Sequence, residues 1–259
     1  MLNIHFRLII AYNGTRFFGF QYQNDEPTVQ GEIEKALEGI VKSKVRIKSA
    51  GRTDAGVHAV GQVISFSAQT RMTPDEMKRA LNSNLPCDIR VIKSDLAPSG
   101  FDPRRSAIRR HYRYIIVHTD LPFYRNYAFY LLPELDIESM ETAFDILYNL
   151  SDFSSLCAGE ERDKKSKLEE IKVGCYGDFT AFDISAPFFL RKMVRMTVRL
   201  LVEIGLGRIS IDDVPSILNS KDPSILVPMP PNGLYLIRVD YPDGFSHNID
   251  SIFNMPIRI

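Results

Sequence analysis

Hydrophobic periodicity in this chain switches between two residues and about 3.6 in one order, and then repeats that order. From Ile4 to Tyr12 the residues alternate and are rich in β-branched and aromatic types, which predicts a strand, and Asn13-Gly14 breaks it. Behind Pro27, Val29, Ile33, Leu37 and Ile40 recur at helical spacing, with the Thr28 hydroxyl placed to cap the first turn. Strands are expected next at Val45–Ser49 and Gly61–Phe66. Thr73, Pro74 and Glu76 form a capping box with proline at the first helical position, so a helix should run through Met77, Ala80 and Leu81. A strand at Ile89–Ile92 completes β-α-β-β-α-β, the ferredoxin-like plan. Two helices then cover one face of an antiparallel sheet, and the other face stays free to bind.

The second half reads the same way: strand Tyr112–His118, helix Ile137–Leu150, strands Ile171–Cys175 and Phe179–Ile184, helix Leu190–Ile204 and strand Leu234–Val239. A short extra helix should start at Ser210, whose hydroxyl and Asp213 resemble a capping box. The halves share a pattern and no sequence identity. The stretch APSGFDP, Ala97 to Pro103, suits neither helix nor strand and is the natural joint. The expected fold is therefore α/β (α+β), two ferredoxin-like or RRM-like halves spanning residues 1–103 and 104–259.

A chain of 259 residues with 44% hydrophobic content can supply one large domain or two modest ones. Its 32 basic and 32 acidic residues cancel, so any site for a polyanion must arise by local segregation of charge. Cys87, Cys157 and Cys175 are odd in number and widely spaced, which points to neither a disulfide framework nor a zinc site. The chain opens on a polar-interrupted strand and has no apolar run of about 18 residues, so a soluble, cytoplasmic protein without a membrane partner is expected.

Three segments concentrate positive charge. Between Arg104 and Arg113 stand Arg104, Arg105, Arg109, Arg110, His111 and Arg113 with no acid, a density suited to phosphate oxygens. Arg162, Lys164, Lys165 and Lys167 form a second run, diluted by Glu160, Glu161 and Asp163. Arg191, Arg195 and Arg199 are four residues apart and should share one stripe of the predicted helix, with Lys192 beside it and Leu190, Met193, Val194 and Leu201 on another face.

The ten residues Ala50–Ala59, AGRTDAGVHA, hold the carboxylate of Asp54 among small residues, with Arg52 two places before it. Gly51 and Gly56 let the backbone take positive φ and let a substrate approach closely. An aspartate so placed either makes an Asx turn or serves an active-site loop.

This string resembles the catalytic loop of the tRNA pseudouridine synthases of the TruA family, and further matches follow in order. They are YNGTRFFGFQYQ from Tyr12, TVQGEIEKAL from Thr28, LNSNLP from Leu81, the RRHYRY run ending at Tyr114, FFLRKMVR ending at Arg195 and GLYLIRVDYPD from Gly233. The resemblance implies two related halves with abutting sheets and a cleft between them, working as a homodimer on tRNA. It implies isomerisation of uridine to pseudouridine in the anticodon stem-loop, at positions 38 to 40, with no cofactor and no metal. That reaction breaks the C1′–N1 bond, turns the uracil, joins C5 to C1′ and releases the C5 proton.

By the same resemblance Asp54 is the catalytic aspartate, adding to sugar or base or initiating elimination. Arg195 is the basic residue paired with it, and such a charge lowers an aspartate pKa by about 1 to 3 units. Tyr112 is the active-site tyrosine against the target base; Tyr114, two residues on, is expected to be a core tyrosine. Arg52 suits base extrusion. His58 either contacts RNA or makes a structural hydrogen bond in the loop. Arg16 and Gln21 to Gln23 are within reach of a role at the substrate, and Phe20 replaces the family's tryptophan. Phe101, Arg104 and Arg105 match a segment that contacts tRNA, and Arg109, Arg110 and Arg191 complete the expected RNA-binding set. The rival reading is a non-catalytic RRM-like RNA-binding protein; no K/R-G-F/Y-x-F-type aromatic platform supports it.

Overall fold

A computed structural model of the chain describes residues 2–159 and 164–246. In chain order the elements are β1 (Leu2–Tyr12), α1 (Val29–Val41), β2 (Lys48–Ser49), β3 (His58–Thr70), α2 (Pro74–Asn84), β4 (Ile89–Leu96), β5 (Arg109–Val117), β6 (Phe129–Tyr130), α3 (Ile137–Glu141), α4 (Phe144–Asn149), β7 (Glu170–Tyr176), β8 (Phe179–Ala186), α5 (Met193–Gly205), α6 (Val214–Asn219) and β9 (Leu234–Asp240). This is a mixed α/β chain whose strands pair mostly antiparallel.

The elements gather into two compact units. The first holds Met1–Ile108 and takes the chain back at Tyr235; the second spans Arg109–Leu234. The joint expected at Ala97–Pro103 thus lies a few residues before the division, and the last strand, expected in the second half, is returned to the first. Within the first unit β9 adds to the start of β3 in parallel, with Tyr235 opposite His58 and Leu236 opposite Ala59.

In the first unit β1 lies between β3 and β4, antiparallel to both, and β2 borders β3. Thr28 caps α1 by accepting from the Gly31 N–H, and Thr73 with Glu76 closes a complete capping box on α2. Val29, Ile33 and Leu37 of α1, and Met77 and Leu81 of α2, are buried with Phe6, Leu8 and Ile10 of β1. The alternate residues Arg7 and Ile9 are buried too, so the second sheet face is not open along β1. The chain itself covers it: the Arg7 guanidinium sits 4.0 Å from the Phe245 ring and 5.6 Å from the Phe101 ring, and pairs with Asp95 and Asp243.

In the second unit β5 pairs with β8 and β8 with β7, all antiparallel, while β6 adds to β5 in parallel. The helix α5 is buried nearly all round, leaving only Arg195, Arg199 and Glu203 partly exposed. Gly205 lets α3 approach, since a Cβ there would lie 3.0 Å from Met140.

Three elements depart from the sequence expectation. Residues 44–47 do not join β2, because the Ile47 N–H donates to the Glu34 carboxylate instead of a strand. The single helix expected over Ile137–Leu150 is two, and at the break the Thr142 hydroxyl bonds back to the Ser139 carbonyl, a bond that bends helices. The helix expected from Leu190 starts at Met193, because Lys192 takes a left-handed φ of 61°. Arg191 consequently stands outside α5, and the stripe of three arginines becomes Arg195 and Arg199 with Glu203, which pairs with Arg199 at 3.0 Å.

Candidate active site

The Asp54 loop is pinned from both sides. Its entry is fixed by the Ala50 N–H donating to the Val63 carbonyl at 2.8 Å and by Gln62 Nε2 donating to the Gly51 carbonyl at 2.8 Å. Its centre is fixed by the segment after β1: Phe20 N–H donates to the Thr53 carbonyl at 3.0 Å and Gly56 N–H to the Phe17 carbonyl at 3.3 Å. The buried hydroxyls of Tyr12 and Thr53 bond at 2.8 Å, and burial pushes the Tyr12 phenol up to about 12 despite its bonds to Thr53 and Gln62. A turn closes the loop, the Val57 N–H donating to the Asp54 carbonyl at 3.2 Å.

Two glycines make this clamp possible. A Cβ on Gly14 would fall 2.0 Å from the Val57 carbonyl oxygen, inside any allowed contact. Gly19 combines a φ of 91° with a Cβ position 2.9 Å from the Thr53 carbonyl oxygen. The clamp presents Asp54 half-buried and Arg52 exposed, on either side of buried Thr53. His58 resolves to its structural alternative: it is 2% exposed, its Nδ1 accepts from the Gly14 N–H at 3.1 Å, and its ring stacks on Tyr235 at 4.7 Å. Phe20 packs inward beside Tyr12, with ring centroids 6.1 Å apart. Of the neighbouring candidates, Arg16 pairs with Asp88 at 3.5 Å and Gln23 donates to the Phe18 carbonyl at 2.6 Å.

In the second unit Arg110, Tyr112 and Tyr114 occupy one face of β5. Tyr112 is 9% exposed and meets Phe189 edge-on at 5.1 Å. Tyr114 is fully buried and its hydroxyl donates to the Pro230 carbonyl at 2.8 Å, which makes it the core tyrosine. Burial raises the Tyr114 pKa. Arg195, on α5, donates from Nε to the Met229 carbonyl at 2.5 Å, and its own carbonyl accepts from Met229 N–H, so both its side chain and its backbone are tied to Met229.

The arginines of the Arg104–Arg113 run divide by element. Arg104 and Arg105 lie exposed on a turn whose backbone N–H groups both donate to Asp102 Oδ1, at 3.0 and 3.1 Å. Burial works to raise the Asp102 carboxyl, but Lys48 and these two N–H groups outweigh it and hold it low. On β5, Arg109 pairs with Glu169 at 2.5 Å, Arg110 is buried and donates to the Pro187 carbonyl, and Arg113 grips Asp183 through two bonds of 2.7 and 2.8 Å. Phe101 is 9% exposed and packs on Tyr241 at 5.2 Å, so its ring anchors the turn from within. Arg191 is exposed, whereas Arg162 lies outside the described residues.

Sequence reasoning missed the frame around Asp54, namely Tyr12, Gly14, Thr53 and Gln62. Its signals were the tight Tyr12-Asn13-Gly14 stop after β1 and the YNGTRFFGFQYQ match that begins there.

The sequence profile of the tRNA pseudouridine synthase family matches residues 8–102 and 150–242. Asp54 and Arg195 fall inside the matched segments, and Arg104, Arg105 and Tyr112 between them. Among curated relatives, tRNA pseudouridine synthase A of Listeria innocua is 41% identical over 246 residues, covering 91% of this chain and 98% of that protein. Its counterpart from Dictyoglomus turgidum is 38% identical, covering 92% and 99%, and that from Thermotoga neapolitana 40% identical, covering 89% and 97%. Spanning almost the full length of these isomerases and matching the family profile on both sides of the β5 region, the chain belongs to the tRNA pseudouridine synthase family.

Proposed function

We propose that this enzyme isomerises uridine to pseudouridine in the anticodon stem-loop of tRNA, at positions 38 to 40, with Asp54 as its catalytic carboxylate. The observation that carries the reading is the doubly clamped loop holding Asp54 half-exposed, within a segment that matches the family profile. A reacting carboxylate must be held within fractions of an ångström, and this loop is fixed by backbone bonds on both flanks. Arg52, exposed two residues away, fills the gap left when the uridine is extruded. Tyr112 lies against the uracil, and Arg195 binds the substrate with a fixed positive charge.

The reaction balances without an outside reactant. The C1′–N1 bond breaks, uracil turns, C5 bonds to C1′, C5 loses its proton and N1 gains one. Arg104 and Arg105 bind the RNA backbone from the Asp102 turn, with Arg191 as a further contact. Arg109 and Arg110 have internal partners and contribute less. We assign each half the ferredoxin-like plan on its β-α-β-β-α-β sequence pattern, and the working form a homodimer on resemblance.

The test is tritium release from tRNA labelled at uridine C5, comparing wild type with Asp54→Asn at saturating enzyme. Release by wild type alone is expected. Equal release by the variant would remove Asp54 from the chemistry, and no release by either despite tight binding would favour a non-catalytic RNA-binding protein.

A further inference from the structure

Neutral composition conceals a second run of one sign. Between Gly39 and Thr53 stand Lys42, Lys44, Arg46, Lys48 and Arg52, and no acid. Val45 and Ile47 are each 7% exposed, while Lys44, Arg46 and Lys48 are exposed, so alternation turns three cations to the same side. The side chains of Arg46 and Lys48 are 75% and 68% exposed.

This strip is fastened in place. Glu34 of α1 accepts from the Ile47 N–H at 3.1 Å and from the Arg46 guanidinium at 2.7 Å, and that guanidinium lies 5.4 Å from the Tyr22 ring. Lys48 reaches Asp102 at 3.0 Å, the carboxylate that also shapes the Arg104–Arg105 turn. Two cationic segments distant in sequence are thereby joined within one unit. From Lys48 the chain continues through Ser49 and Ala50 into Arg52 and Asp54, held to β3 as it goes. Arg46 and Lys48 are exposed although their partners Glu34 and Asp102 are only 12% and 23% exposed, so each cation can donate to a phosphate on its open side while it keeps its carboxylate.

We propose that Lys42, Lys44, Arg46 and Lys48 form a phosphate-tracking strip that binds the RNA sugar-phosphate backbone outside the reacting loop and leads it toward Asp54. The inference rests on the reading of RNA as substrate. Most of this neutral chain interleaves both signs, the Arg104–Arg113 run apart. Here one sign holds through the whole run, and the strip converges on the Arg104–Arg105 turn.

The experiment is equilibrium binding of an unmodified tRNA transcript across a salt series, for wild type, for K42Q/K44Q/K48Q and for K42R/K44R/K48R. The glutamine variant should lower the slope of log K against log salt by about 2, at roughly 0.7 per single-strand phosphate contact, and weaken binding roughly tenfold at low salt. The arginine variant should keep the wild-type slope, which separates lost charge from lost structure. An unchanged slope and affinity in the glutamine variant would overturn the strip and leave the charges to solvent or to an acidic protein surface. Tritium release by the same wild-type preparation is read separately. A strip-dependent slope without release would sink the isomerase reading and keep the strip; release with an unchanged slope would do the reverse.

Discussion

Gly14 decides whether Asp54 can be where it is. A methyl group there meets the Val57 carbonyl oxygen at 2.0 Å, so Gly14→Ala must push the loop away from β1. The expected result is a loss of single-turnover tritium release of about 10²-fold, the scale of a 1 Å misplacement, with tRNA affinity little changed. Wild-type turnover by the alanine variant would show that the loop needs no such clamp. Tyr12 supports the same loop from beneath. Its phenol ionises near pH 10 in the unfolded chain and only at about 12 when folded, so the unfolded state sheds its proton first. Stability is therefore intact below pH 10 and declines as pH rises toward 12. Tyr12→Phe should flatten part of that decline in a melting-temperature series, the remainder belonging to Tyr114, whose pKa burial also raises. Its cost at neutral pH is about 1 kcal/mol, for one buried hydrogen bond. The loop itself was legible in AGRTDAGVHA because a lone carboxylate among small residues carries its meaning locally; Gly56 takes the expected positive φ, at 78°, and Gly51 does not. Its frame was not legible, because Thr53 and Tyr12 meet only once β1 has paired with β3 and the chain has turned back at Gly14.

Among the elements, α1 couples stability to the site. Its first N–H groups, on Val29 and Gln30, donate to the carbonyls of Gly19 and Phe20, the same residues that brace the Asp54 loop. Thr28→Ala removes a buried cap and should cost about 1–2 kcal/mol, seen as a lower melting temperature. An unchanged melting temperature would mean the segment after β1 holds the helix end without its cap. The caps of α1 and α2 were readable because they rest on residues three apart. The start of α5 was not, because a lysine in the left-handed region at position 192 has no signature in hydrophobic spacing. The same limit explains the arginine run at 104–113. Sequence shows charge density, and only strand pairing reveals that Arg113 faces Asp183 across β5 and β8. The alternation in Lys44–Lys48 was readable in principle, since Val45 and Ile47 sit between the cations, but five charges spread over eleven residues are less conspicuous than five arginines in ten.

At the scale of the whole chain, the first unit is discontinuous: it opens with β1 and is completed by β9 after the second unit has intervened. Gly61 is fitted to this closure, for a Cβ there would lie 2.3 Å from the Ile237 carbonyl oxygen. Ending the chain after Leu234 should therefore expose the start of β3, read as faster amide exchange at residues 58–63, while residues 179–186 keep their protection. Equal exchange in both chains would mean that β3 does not depend on β9. A ribosome must consequently finish the second unit before it can deliver the strand that the first unit awaits. At about 5–20 residues per second that delay is on the order of ten seconds. Throughout it, His58 lacks the Tyr235 ring it stacks upon. A nascent chain thus carries every residue of the Asp54 loop long before the seat of that loop is complete, and this order of synthesis withholds a finished site until the last strand arrives.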